Sequence, residues 1–453
     1  DEEVAGWAAW AWHRPPCASF KRADCKAREN RRVGSRAPSP SSSPPPPPPM
    51  PEMDTVAYSG LLLLGAANLV PWMAFLSLSD YFTTLYHSNA MEFWFPAFST
   101  SALIASSATL LFVGSSLSFN ARIAVPTLFM ALLMLVVPAV DVAVRLELLS
   151  LDGAFAVTLA SVMLNSIFSA TTQNSLYALG SLISDEATQA VQAGSGIIGL
   201  VSVGLRLLTK VGLQPVPAMW AFCVSGTLIL LLSLAAYAAL TSDAKVRSKV
   251  ELQEKRRTMR NSQFAEPMLD AEGGSGESSK PMPTAWSMLK LTRIQSLSVY
   301  SVFLVCLATF PGLTTSLVST TWHLGDWYPI ILVAAYNTGD LFGKSLPGAY
   351  RLLNNTTLPI AAALHTLFVP LFLLLAHPSL LPVWARSDLV AISITTLLGV
   401  LTGYIGCMAL MLGGELGRSP EEREVAGMVT SFSLMMGLAS GSNAGLLLMR
   451  LVE

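Results

Sequence analysis

Apolar segments of about 20 residues recur along almost the whole chain, and this recurrence restricts the fold more than any other feature. A helix of that length crosses the hydrocarbon core of a bilayer and satisfies its own backbone hydrogen bonds there. Segments of alternating polarity, which a transmembrane barrel needs, are not seen. We therefore predict an all-α polytopic membrane protein with helices near residues 57–78, 93–114, 121–140, 154–178, 190–211, 217–240, 294–318, 327–348, 357–376, 388–412 and 424–449.

The composition of the 453-residue chain excludes several classes of protein. Hydrophobic residues make up 52% of the chain and charged residues 13%, whereas a soluble globular protein has about 25% charged residues. So little charge argues against a water-soluble enzyme and against a disordered regulator. The net charge of −1 gives no reason to expect nucleic acid as a partner. The five cysteines show no CxxC or Cys/His spacing, so we expect them to be small buried hydrophobic residues. We expect no metal and no cofactor.

A polar interval divides the predicted helices into a group of six and a group of five. We expect an N-terminal six-helix bundle at 57–240, a cytosolic, basic and flexible loop at 241–293, and a C-terminal five-helix bundle at 294–453. Residues 1–56 end in a Ser/Pro-rich stretch that favours polyproline II or disorder, and Met50 and Met53 are candidate translation starts. Two bundles around a central pathway are an arrangement expected of a transporter.

Basic residues set the expected orientation, because cytosolic loops carry an excess of Lys and Arg. Most of the 28 Lys and Arg residues lie in the N-terminal segment and in 241–293. This distribution predicts a cytosolic N-terminus, and eleven helices then put the C-terminus outside. The basic cluster at 245–260 has two interpretations: it binds anionic lipid, or it is a solvated loop that only orients the protein.

The eighth predicted helix carries charged residues at membrane depth, where they are costly and usually face a cavity or a partner. Asn337, Asp340 and Lys344 are three and seven residues apart, so they share one helical face, and Asp340 can pair with Lys344. One side chain accepts hydrogen bonds and the other donates them, a combination suited to an uncharged ligand rich in hydroxyl groups. The alternative is a structural ion pair, with Lys344 extending to the membrane interface.

Two neighbouring helices carry further candidates. The fourth predicted helix has a polar stripe in which Asn165 and Gln173 are the best ligand candidates, because their amides both donate and accept hydrogen bonds. The alternative is that the stripe holds helices together. The fifth predicted helix has Gly194, Gly196 and Gly199, a spacing that permits close helix packing. It is not a dinucleotide fingerprint, since no strand precedes it.

Proline interrupts one predicted helix in each group. Pro71 frees a backbone carbonyl in the first helix and can kink it. Trp72 follows near mid-span, where its ring could stack on a flat ligand or pack in the core. Phe310 and Pro311 mark a second kink at the comparable position of the second group. Paired interrupted helices are the best sequence indication of a transport site.

These residues together resemble the equilibrative nucleoside transporter family. The resemblance extends over residues 55–450, and its matching pieces occur in the family's order along the chain. The segment Gly204–Lys210 is similar to plant and protist members. The other matching pieces are Pro71-Trp72, Asp80–Phe82, Asn165 with Gln173–Gly180, Ala193–Gly196, Phe310-Pro311, Asn337–Leu346, Gly403-Tyr404 and Pro420–Gly427.

The resemblance implies a major-facilitator-like fold of eleven helices in two bundles. It also implies facilitative movement of nucleosides or nucleobases by alternating access, in the plasma membrane rather than an internal one. Trp72 would stack near the nucleobase, Gln173 would hydrogen-bond it, and Asp340 with Lys344 would hold the ribose hydroxyls. The apolar side of the site would be lined by Leu69, Leu76 and Leu438.

Two positions depart from the family's pattern. Lys344 stands where the family usually has Arg, so the planar fork that makes bidentate contacts is lost. Ser195 stands where the family has a glutamine between glycines. Both departures bear on substrate preference and leave the fold unaffected. Three other functions stay open: a proton-coupled symporter of the same substrates, a polytopic receptor or channel, and a membrane-embedded enzyme. The single carboxylate of the eighth helix counts against the enzyme.

Overall fold

The computed structural model of the chain describes residues 53–86, 90–212, 214–265 and 283–450, and most of them are helical. The segment expected to be disordered, 1–56, lies outside the described residues except for 53–56, which lead into the first helix. In chain order the helices are α1 (Thr55–Ser77), α2 (Ser79–Tyr86), α3 (Ala90–Val113), α4 (Phe119–Met134), α5 (Val136–Arg145), α6 (Leu151–Ile183), α7 (Asp185–Val211), α8 (Pro215–Ser242), α9 (Ala244–Ala265), α10 (Ala285–Leu291), α11 (Arg293–Thr309), α12 (Gly312–Thr315), α13 (Tyr328–Ser345), α14 (Leu358–His365), α15 (Phe368–Ala376), α16 (Asp388–Glu415) and α17 (Pro420–Met449).

Within the described residues, ten helical stretches are long and apolar enough to cross a bilayer. They coincide with ten of the eleven predicted helices, so the all-α polytopic membrane fold is confirmed. The eighth predicted helix is α13, which has 18 residues and is not one of the ten. It is the helix that carries Asn337, Asp340 and Lys344, and these polar residues lower its apolarity. The count of eleven membrane helices stays a prediction.

A single residue, Ser184, separates α6 from α7, although the sequence predicted a loop over 179–189. The side chain of Ser184 caps α7 by accepting a hydrogen bond from the backbone N–H of Ala187. Asp185 and Glu186 occupy the first turn of α7, where negative charge is favourable. Helix α7 therefore begins before its apolar segment, because capping stabilises a helix end that hydrophobicity does not mark.

The interval expected to be a flexible loop, 241–293, contains the helix α9. Asp243 starts this helix by accepting hydrogen bonds from the backbone N–H groups of Lys245 (2.9 Å) and Val246 (3.0 Å). Arg247 and Glu251 pair at i,i+4 on its surface. Lys, Arg, Gln and Glu are good helix formers, so a charged segment can be helical without being apolar. The Gly/Ser-rich part of the interval lies outside the described residues.

Helix α9 packs against the rest of the molecule at three points. Val246 is buried in the main hydrophobic core. Lys249 donates a hydrogen bond to the carbonyl of Ile183 at the end of α6 (2.6 Å), and its pKa is lowered by burial and by Arg423. Gln253 donates to the carboxylate of Glu424 at the start of α17 (2.8 Å). The basic interval therefore includes a docked helix that contacts both α6 and α17.

The predicted helix over 294–318 is interrupted where Phe310 and Pro311 were expected to kink it. Helix α11 ends at Thr309, the Phe310–Pro311 peptide bond is cis, and α12 begins at Gly312. Proline has no N–H to continue the helical hydrogen bonds, which accounts for an end at this position. Pro71 differs, because α1 continues through it from Thr55 to Ser77.

Glycine allows two helix pairs to pack with their backbones in contact. A Cβ added to Gly194 of α7 would lie 1.9 Å from the carbonyl oxygen of Leu62 in α1. A Cβ added to Gly343 of α13 would lie 2.1 Å from the carbonyl oxygen of Val400 in α16. Small residues permit such approaches in membrane proteins, where van der Waals packing replaces the hydrophobic effect between helices. These contacts fix α7 on α1 and α13 on α16.

Polar contacts join the N-terminal half (α1–α8) to the C-terminal half (α10–α17) near the turn between α6 and α7, which we call the α6–α7 end. Arg122 of α4 donates to Glu424 of α17, and both side chains are buried. Arg351, which follows α13, contacts Asp185 of α7 at 3.4 Å and Glu415 of α16 at 2.8 Å. The two halves are therefore held together at this end by charged groups.

Candidate functional site

Asp340 and Lys344 form an ion pair inside the protein. They lie one turn apart on α13, and Asp340 Oδ2 is 2.7 Å from Lys344 Nζ. Only 6% of Asp340 and 7% of Lys344 is exposed. A charge turned toward lipid would be exposed and unpaired, so burial and pairing indicate that both groups face the protein interior. The side chain of Lys344 is therefore directed into the protein.

Helix α7 supplies a second partner for Lys344. Lys344 Nζ donates to the hydroxyl of Ser195 at 3.0 Å, and Ser195 in turn donates to the carbonyl of Gln192 at 2.6 Å. Gln189 lies one turn before Gln192 on α7. Its amide donates to the backbone carbonyl of Lys344 (3.0 Å) and accepts from the hydroxyl of Tyr58 in α1 (2.9 Å). The charged pair of α13 thus lies against a polar face of α7.

The sequence signal for this α7 face was incomplete. Gln189, Gln192 and Ser195 are three residues apart, the spacing of one helical face. The apolar pattern predicts a helix that begins at residue 190, which leaves Gln189 outside it. The polar spacing continues past this apolar boundary and marks the face.

Asn337 lies on the same helix, between α13 and α7, and 9% of the residue is exposed. Its side-chain amide donates to the carbonyl of Val333, four residues earlier in α13 (2.8 Å). A Cβ added to Gly199 of α7 would lie 2.3 Å from Asn337 Oδ1, so only glycine leaves room for this amide. Gly196 meets α13 in the same way, with its Cβ position 2.9 Å from the Cα of Leu341.

Gln173 of α6 faces the first helix. The amide of Asn68 in α1 donates to Gln173 Oε1 at 3.2 Å, and Ser169 donates to the backbone carbonyl of Asn68 at 3.2 Å. Asn165 bonds to its own helix through Ser161 at 3.2 Å. The side-chain oxygens of Asn68 and Asn165 are buried and have no hydrogen-bond partner among the described residues. Sequence analysis missed Asn68, although an asparagine within an apolar segment is a recognisable signal.

Trp72 is half-buried, and its ring lies 5.2 Å from the ring of Phe95 in α3. Among the described residues, the side chain of Trp72 makes no ring contact and no hydrogen bond with Asp340 or Lys344. Leu76, one turn further along α1, is 48% exposed. Leu69 packs against a small apolar cluster that includes Ile198, and Leu438 packs against the main core.

A second polar network borders the ion pair within the C-terminal half of the molecule. Tyr336 lies one turn before Asp340 and its hydroxyl is 2.8 Å from Cys306 Sγ of α11. The ring of Phe310 stacks on Tyr336 with centroids 3.8 Å apart. His365 of α14 is buried and hydrogen-bonded to Thr402 of α16 (3.0 Å).

The pair on α13 offers a buried acceptor and a buried donor side by side, which suits an uncharged ligand that carries hydroxyl groups. Gln173 and Trp72 lie in separate contacts, with Asn68 and with Phe95. Among the described residues, no group of three or more His, Cys, Asp or Glu side chains could hold a metal ion.

Comparison with known proteins gives one family and a consistent set of relatives. A family model described as nucleoside transporter matches residues 159–449. The chain is 29% identical over 394 residues to equilibrative nucleotide transporter 1 of Arabidopsis thaliana, covering 85% of this chain and 84% of that one. It is 25% identical over 438 residues to human equilibrative nucleoside transporter 4, covering 85% and 81% of the two chains.

The fold also resembles a solved transporter structure. The major facilitator superfamily proton:xylose symporter XylE, bound to 6-bromo-6-deoxy-D-glucose, aligns with a TM-score of 0.56 at 15% sequence identity. The alignment covers 85% of this chain and 86% of that one. At this identity the similarity concerns the fold alone, and it agrees with the expected major-facilitator-like architecture.

Proposed function

The chain belongs to the nucleoside transporter family, and from this premise we propose that it moves nucleosides, nucleobases or both across a membrane by facilitated alternating access. The observation that carries the proposal is the buried Asp340–Lys344 pair on α13, turned toward α7. Charged groups at membrane depth are costly, and where they occur they usually pair with one another and mark a pathway or a ligand site. No chemical conversion of the ligand is involved.

The ligand chemistry follows from the groups at the site. Asp340 accepts hydrogen bonds and Lys344 donates them, so together they can hold the neighbouring hydroxyls of a ribose. Gln173 hydrogen-bonds the edge of the base, and the indole of Trp72 stacks on its face. Asn337 and Asn165 add amide groups on α13 and α6. The apolar side is formed by Leu69, Leu76 and Leu438.

The contacts at the α6–α7 end support a transport cycle in which this conformation is closed toward the cytosol. The Arg122–Glu424 pair and the contacts of Arg351 join the two halves there. The basic helix α9 lies at the same end, as the positive-inside distribution requires. The N-terminus is then cytosolic, the C-terminus is outside, and the ligand enters this conformation from outside, across the plasma membrane.

The exposed basic residues of α9 are available to anionic lipid in the cytosolic leaflet. Lys245 and Lys255 face solvent, whereas the ammonium of Lys249 is bonded to the carbonyl of Ile183. Clustered basic residues next to a membrane gain about 1 kcal/mol each from an anionic surface. Only the outward residues of 245–260 therefore contribute to lipid binding.

Uptake of radiolabelled adenosine and uridine into proteoliposomes tests the proposal. Asp340→Ala and Trp72→Ala are expected to abolish saturable uptake, because each removes a contact to one part of the nucleoside. Thr338→Ala is the matched control, since this residue is on α13, is exposed and bonds only to its own helix. Normal uptake by both site variants would reject the site.

A further inference from the structure

The ammonium group of Lys344 has two partners that come from different parts of the fold. Asp340 is on the same helix, at 2.7 Å, and Ser195 is on α7, at 3.0 Å. A lysine ammonium has three N–H donors. Among the described residues, Asp340 and Ser195 bond two of these N–H groups, and the third is available to a ligand.

Ser195 is itself held in one orientation. Its hydroxyl hydrogen is directed to Gln192, whose carbonyl oxygen lies at 2.6 Å and whose Oε1 lies at 3.4 Å, so a lone pair of the serine oxygen points to Lys344. The residue is 8% exposed and is flanked by two glycines that touch other helices. Gly194 lies against the backbone of α1, and Gly196 lies against Leu341 of α13. The serine therefore cannot shift without disturbing both contacts.

The hydrogen bond from Lys344 to Ser195 joins the two halves of the molecule, whereas the ion pair with Asp340 lies within one helix. Separation of α7 from α13 would remove Ser195 from Lys344 and leave Asp340 in place. The number of groups that direct the ammonium thus depends on whether the α7–α13 interface is closed.

We propose that Ser195 is a positioning residue for Lys344: it aims the ammonium at the ligand's sugar hydroxyls only while α7 and α13 are packed together. This inference rests on the proposed function, because it takes the ligand to be a nucleoside. It makes Ser195 a determinant of sugar recognition, although the serine itself acts through the lysine.

Binding of radiolabelled adenosine to the full chain in nanodiscs tests the role. Ser195→Ala is expected to weaken adenosine binding about tenfold, the effect of losing one hydrogen bond to a charged group. Competition by 2′,3′-dideoxyadenosine, which lacks the two hydroxyls, is expected to be unchanged. Ser195→Thr keeps a hydroxyl and should restore adenosine affinity. Ser225→Ala is the control, since this half-buried serine bonds only within α8.

A double-mutant cycle separates positioning from a general structural role. Ser195→Ala should lower the melting temperature of the chain without ligand, and should have little further effect in a Lys344→Met background. An equal loss in both backgrounds would overturn the contact, whatever the ligand is. Coupling in the melting cycle with unchanged adenosine affinity would overturn the positioning role. If the unmodified chain binds no nucleoside, the proposed function fails, and the positioning role that rests on it fails too.

Discussion

At the scale of single residues, the charge of Lys344 is the most demanding feature of the molecule. It is buried with Asp340 as its only carboxylate partner among the ion pairs of the described residues. Removing one partner of a buried pair leaves an uncompensated charge, which is more costly than removing both. The pair is therefore a sensitive point for stability as well as for ligand binding.

We predict that Lys344→Met destabilises the chain by about 3–5 kcal/mol, because Asp340 is then buried without its partner. Asp340→Asn combined with Lys344→Met should recover most of this loss, since neither charge remains. Thermal unfolding of the unmodified chain, the single variant and the double variant in one detergent measures the effect. Equal destabilisation by the single and double variants would contradict the account.

Sequence reasoning reached the pair but could not reach its surroundings. The i,i+4 spacing of Asp340 and Lys344 is local, so helical geometry alone predicts their contact. Ser195 is 149 residues away in the chain from Lys344, and Asn68 is 105 residues away from Gln173. These contacts depend on which helix faces which, and no local pattern contains that information.

At the scale of helices, the length of the apolar segments predicted the membrane helices. Capping and packing determine where the helices begin and end, which apolar length does not show. Ser184 lets α7 start earlier than its apolar segment does. Asp243 starts a charged helix in an interval expected to be a loop. Both effects are short-range and chemical, whereas hydropathy is averaged over a whole span.

The close contact of α7 with α1 gives a prediction about helix packing. Gly194→Ala should reduce the yield of folded, monodisperse protein, because the added Cβ would lie 1.9 Å from the carbonyl oxygen of Leu62. Gly204→Ala on the same helix meets no atom within 4 Å and is the matched control. That control should be neutral or slightly stabilising, since alanine favours helix by about 1 kcal/mol over glycine. Size-exclusion chromatography and melting temperature distinguish the two, and similar behaviour of both variants would argue against close packing.

The docking of α9 can be tested by hydrogen exchange. Gln253→Ala removes the hydrogen bond that joins α9 to Glu424, so the backbone amides of α9 should exchange faster than in the unmodified chain. Lys255→Ala, an exposed substitution on the same helix, should leave the rates unchanged. Mass spectrometry of peptides from 244–265 provides the measurement. Unchanged rates in Gln253→Ala would show that Glu424 does not hold the helix.

At the scale of the whole molecule, two sets of contacts across the halves have different consequences. Arg122, Glu424 and Arg351 join the halves at the α6–α7 end. Ser195 and Lys344 join them at the site itself. In the proposed carrier, opening to the cytosol separates both sets of contacts. A receptor or a channel would not need this separation.

Counterflow in proteoliposomes tests the central claim most directly. Vesicles are loaded with unlabelled adenosine and then given a trace of labelled adenosine outside, with equal pH on both sides. A carrier with the proposed site should accumulate label transiently above equilibrium; Asp340→Asn should abolish this overshoot, and Thr338→Ala should retain it. Absence of an overshoot in the unmodified chain, or an overshoot unaffected by Asp340→Asn, would contradict the account.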